Sequence, residues 1–77
     1  MKKKRIVFTK HAEEMLIERE LPEKLVENIV MKPEWREQGE GEMWYAFKRV
    51  QGKVLRIVVS GTNPSTVITM YVVRRIK

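Results

Sequence analysis

Apolar positions recur at helical spacing in the first half of the chain and at strand spacing in the second. Arg5 to Phe8 is a short run suited to a first strand. Thr9 has the chemistry of an N-cap for a helix from Lys10 to about Arg19, with Glu13 and Glu14 near its positive end. Ala12, Met15, Leu16 and Arg19 then share one face, which predicts a partly buried Arg19. Leu21-Pro22-Glu23 interrupts the pattern, and Pro22 suits the first position of a second helix. That helix carries Leu25, Val26, Ile29 and Val30 as its apolar stripe and ends at Lys32-Pro33.

Strand-like runs follow. Trp35 to Glu37 is a short one, closed by the turn residues Gly39-Glu40-Gly41. Met43 to Val50, Val54 to Ser60 and Thr66 to Arg75 are rich in β-branched and aromatic residues. Gln51-Gly52-Lys53 and Gly61-Thr62-Asn63-Pro64-Ser65 separate them as turns. The order β-α-α-β-β-β-β predicts a single α+β domain, with a two-helix hairpin packed on one face of a small antiparallel sheet. Period-2 phasing points Leu55, Ile57 and Val59 inward, and Val54, Arg56 and Val58 outward. It also sends Tyr45, Phe47, Ile68, Met70 and Val72 to the core. Trp44, Ala46, Lys48, Val67, Thr69, Tyr71, Val73 and Arg75 then lie on the open face, one residue out of phase wherever a bulge intervenes.

Charge sharpens this division. The 77 residues carry a formal charge of +6. Residues 1–12 hold five basic side chains and no acid, and residues 13–42 hold all ten Glu against four basic residues. Residues 43–77 hold seven basic residues and no acid, so the strand half has the sign expected of a polyanion-binding surface. There is no Cys and no Asp, and His11 is the single His. These absences exclude a disulfide framework, a thiolate zinc site, a cysteine nucleophile and a His pair for a transition metal. Neither a metal nor a cofactor is therefore expected. No apolar run approaches the roughly 20 residues of a membrane span, and the expectation is a cytoplasmic protein.

The segment Phe8-Thr9-Lys10-His11-Ala12, with Arg19 eight residues after the His and then Leu21-Pro22-Glu23, is similar to a family of small bacterial and archaeal domains of uncharacterised function. These open with an apolar residue, Ser or Thr, any residue, and His-Ala, and their first helix closes on an Arg. The Pro33-containing helix end and the final Thr69-Met70-Tyr71-Val72-Val73 run resemble the same family. The chain departs from it at Met15, where a further Arg is frequent, and at Glu20, where Gly is favoured. Such domains resemble the RelE, ParE and BrnT toxins of toxin–antitoxin pairs. The resemblance thus implies a RelE-like fold, a metal-independent endoribonuclease or a fold relative without that activity, and an acidic antitoxin as partner.

Metal-free RNA cleavage requires a base for the 2′-hydroxyl, an acid for the leaving oxygen, and cations for the phosphorane. Histidine, with an unperturbed pKa of about 6.5, suits either proton-transfer role, which makes His11 the candidate. Arg19 is a candidate bidentate phosphate ligand, and Tyr71 a candidate to orient a base or transfer a proton. Lys48, Arg56, Arg74 and Arg75 are candidate nucleic-acid contacts, and Trp44 with Tyr45 beside Lys48 and Arg49 suits base stacking. Two other readings use the same residues. One is a module that binds nucleic acid without cleaving it. The other is a protein-interaction domain, with a homodimer as one form.

Overall fold

The computed structural model describes residues 6–61 and 65–73 of the chain. Its elements run β1 (Val7–Phe8), α1 (Lys10–Glu18), α2 (Glu23–Met31), β2 (Trp35–Gln38), β3 (Met43–Val50), β4 (Lys53–Ser60) and β5 (Thr66–Val73). The expected α+β architecture is present, but the sheet is mixed. Its strand order is β1-β5-β4-β3-β2, with β2 to β5 an antiparallel meander and β1 parallel to β5. The helical hairpin carries the chain across the sheet to its far edge. The meander then returns it, so that β5 arrives beside β1 in the same direction. Only Val7 and Phe8 make that pairing, too short a run for strand periodicity to specify a direction.

Local chemistry sets the helix ends. Thr9 caps α1, its Oγ1 accepting from the Ala12 N–H at 3.1 Å. The C-terminus closes in a Schellman pattern: the Glu20 N–H donates to the Ile17 carbonyl at 3.1 Å and the Leu21 N–H to the Leu16 carbonyl at 2.9 Å. That pattern requires a left-handed residue after the cap, and Glu20 occupies it at φ 53°. Pro22, expected at the first helical position, stands one step earlier in α2, as its N-cap, and the helix begins at Glu23. Between β3 and β4, Gln51 (φ 53°) and Gly52 (φ 79°) form a two-residue turn with both central residues at positive φ, matched to the twist of a hairpin.

The main core lies between the helices and one sheet face. Ala12 and Leu16 of α1 and Val26, Ile29 and Val30 of α2 pack on Ala46, Leu55, Ile57, Val59, Val67 and Met70. The phase assigned to β4 is thus correct. The phase of β3 is reversed: Ala46 and Trp44 face the helices, whereas Phe47 lies outside that core. In β5 an irregularity at Val58/Val59 leaves Ile68 without a cross-strand partner, since Val59 pairs with Val67 and Val58 with Thr69. Val67 therefore joins Met70 in the core instead of pointing away from it.

Candidate functional site

Neither helix packs on the opposite sheet face, yet it is far from polar. Phe47, Val54 and Val58 are buried there. Residues paired directly across strands share this face as neighbours. One row runs in register from Trp35 through Phe47 and Arg56 to Tyr71. The adjacent row runs Glu37, Tyr45, Val58 and Thr69. The Trp35 ring stacks on Phe47 with centroids 5.0 Å apart and an interplanar angle of 5°. The Arg56 guanidinium lies 4.5 Å from the Tyr45 ring centroid and 5.7 Å from that of Tyr71. Arg56 therefore lies over two aromatic rings, a placement guanidinium tolerates because it is planar and weakly hydrated. Its Nε is buried and has no hydrogen-bond partner. Tyr71, at the β5 end of the row, remains 45% exposed.

His11 joins this face from the sheet edge. Beyond Phe8 the start of α1 takes the place of a strand beside β5. The Thr9 N–H donates to the Val67 carbonyl at 3.1 Å, and its Oγ1 donates to the Ile68 carbonyl at 3.1 Å. That attachment puts the exposed His11 ring at the rim, where Nε2 lies 3.1 Å from Thr69 Oγ1. Thr69 is two residues from Tyr71 on the same strand face. His11, Arg56 and Tyr71 thus belong to one surface.

Arg19 and Lys48 do not. Arg19 is the C-cap of α1, about 12 Å along the helix from His11 at 1.5 Å per residue. It is exposed, contrary to the partial burial expected, because the chain leaves the helix there. Its side chain lines a cleft of about 450 Å³ with Leu21, Pro22, Leu25 and Lys53, between the helical turn and the β3–β4 hairpin. Lys48 pairs with Leu55 on the helix-facing side and sits half-buried beside Leu25, Asn28 and Lys32. The reversed phase of β3 removes it from the expected grouping with Arg56 and Tyr71. Trp44 is likewise on the helix side, half-buried against the core with the Arg36 guanidinium 4.0 Å from its ring centroid. Arg74 and Arg75 lie outside the described residues.

Thr69 is a functional candidate that the sequence does not single out. Tyr45, a base-stacking candidate phased into the core, lies instead on this face, and the available signal is Ala46 beside it, a small residue suited to the position beneath packed helices. Thr69 was placed on the correct face, but nothing local linked it to a His 58 residues earlier.

Among the described residues, no group of three or more His, Cys, Asp and Glu side chains is arranged to hold a metal ion. Among those residues, too, no helix is long and apolar enough to cross a membrane. Compared with known proteins, the chain matches no family model, no curated protein and no solved structure.

Proposed function

We propose that this protein is a RelE-like, toxin-type endoribonuclease that binds RNA on the helix-free sheet face and cleaves it without a metal. The observation that carries the reading is the His11–Thr69 hydrogen bond, which attaches His11 to the strand face that carries Tyr71 two residues further on and Arg56 as the cross-strand partner of Tyr71. When Thr69 Oγ1 accepts from the His11 Nε2–H, the unprotonated Nδ1 is the atom able to take the 2′-hydroxyl proton. Arg56 supplies a fixed positive charge for the phosphate; β3 to β5 contribute no carboxylate to this face, and Glu37 at its β2 edge is the acid that shares it. Tyr71 is the neighbouring hydroxyl for orienting the substrate or transferring a second proton. An acidic antitoxin would compete for the same cationic face.

The test is incubation of the protein with RNA in EDTA, with end-group analysis of the products. Cleavage should leave 2′,3′-cyclic phosphate ends, and His11→Ala should abolish it while lowering the melting temperature by no more than the about 4–8 °C that loss of the His11–Thr69 hydrogen bond accounts for, so that the variant is assayed folded. Intact RNA, or cleavage retained by His11→Ala, would refute the catalytic role. A second reading, RNA binding without cleavage, is favoured by the position of Arg19, which is remote from His11 along α1. Under that reading RNA is retained in a salt-sensitive complex and recovered whole.

A further inference from the structure

We infer that Tyr71 is a stacking platform for one unpaired base and that Arg56 holds the adjoining phosphate, so that the face selects single-stranded over paired RNA. This rests on the RNA-binding reading above and adds the structural class of the substrate. Three observations carry it. Tyr71 is the more exposed of the two tyrosines of the face, at 45%, whereas Tyr45 is half-buried. Its position is fixed from behind, because Arg56 lies between its ring and that of Tyr45. A platform held in this way loses little conformational freedom when a base settles on it. The guanidinium lies over two rings and its Nε is buried without a hydrogen-bond partner, so the phosphate contact falls to its terminal Nη groups.

The geometry of the row suits a single strand. From Trp35 to Tyr71 it crosses four strands, about 14 Å at ~4.8 Å per strand. Trp35 is half-buried and already stacked on Phe47, which leaves Tyr71 as the principal ring for a ligand. A duplex offers no base face to it, because both faces of each base are occupied by neighbours in the stack. An A-form helix would present only phosphates and 2′-hydroxyls to this surface.

The experiment is fluorescence anisotropy with a labelled 2′-O-methyl oligoribonucleotide, which lacks the nucleophilic hydroxyl and survives any cleavage activity. The strand is measured alone and annealed to its complement. The single strand should bind about tenfold or more tightly than the duplex. Tyr71→Ala should weaken single-strand binding by about 5- to 150-fold and duplex binding far less, and Tyr71→Phe, which keeps the ring and loses only the hydroxyl, should restore most of the affinity lost in Tyr71→Ala. Equal affinity for strand and duplex, or unchanged binding by Tyr71→Ala, would overturn the stacking inference and leave the RNA face intact. Failure of the wild type to bind either form would remove the RNA face as well.

Discussion

Thr9 makes two side-chain hydrogen bonds, one within its own helix and one to the sheet, and Thr9→Ala removes both. The first is the N-cap to the Ala12 N–H, and such caps contribute about 1 kcal/mol. The second is the donation to the carbonyl of Ile68, the residue that the β5 irregularity leaves without a cross-strand partner. A hydrogen bond of this type contributes about 1 kcal/mol, and an orphaned carbonyl loses at least that much. The expected loss is therefore about 2 kcal/mol. In a domain of this size each kcal/mol moves the melting temperature by about 4–8 °C, so thermal unfolding followed by circular dichroism should show a fall of about 8–16 °C. Thr9→Ser retains the hydroxyl and should lose less than half as much. If Thr9→Ala unfolds within about 0.5 kcal/mol of the wild type, or Thr9→Ser is equally damaged, the two bonds do not hold α1 on the sheet edge. Because the same attachment places His11 beside Thr69, Thr9→Ala should also reduce any His11-dependent cleavage at temperatures where the variant remains folded.

Glu20→Gly should stabilise the protein by about 1 kcal/mol in urea unfolding, because Gly adopts the left-handed cap conformation without the penalty of a Cβ. No gain would mean that the Glu20 side chain contributes a compensating contact. Gly39→Ala should destabilise by about 1–3 kcal/mol, since its Cβ would meet the Met43 carbonyl oxygen at 3.0 Å and the Tyr45 ring and hydroxyl at 3.2 Å; a melting curve is the readout. Arg56→Gln should weaken RNA binding and lower the slope of log K against log salt by about 1, while Lys48→Gln, on the opposite sheet face, should leave both unchanged. Equal effects of the two substitutions would place the RNA on another surface.

Much of the architecture was legible because it depends on local chemistry. The cap at Thr9, the break at Pro22, the apolar stripe of α2 and the extent of β3 all follow from short-range patterns that the structure reproduces. The face of β4 was legible too, because Arg56 marks one side of an otherwise apolar strand. In β3 the pattern carried no contrast. Its two faces hold Trp44 and Ala46 against Tyr45 and Phe47, and both are covered, one by helices and one by the aromatic row of the sheet itself. A period-2 argument needs a polar side, and this strand has none that continues along its length.

The site shows the same division. Residue types alone made His11 the single candidate for proton transfer at neutrality, and the absence of acids after residue 42 marked the strand half as cationic. Those are properties of composition and order, which any conformation would retain. Which groups share a surface was decided by pairings distant in sequence. The Thr9–Ile68 bond brings His11 to Thr69, and the registers of β2 to β5 align Trp35, Phe47, Arg56 and Tyr71. The reversed β3 phase separates Lys48 from them, and the end of α1 carries Arg19 away. A one-residue change of register exchanges every side chain between the two faces of a strand, so tertiary pairing, and not residue type, selected the members of the site.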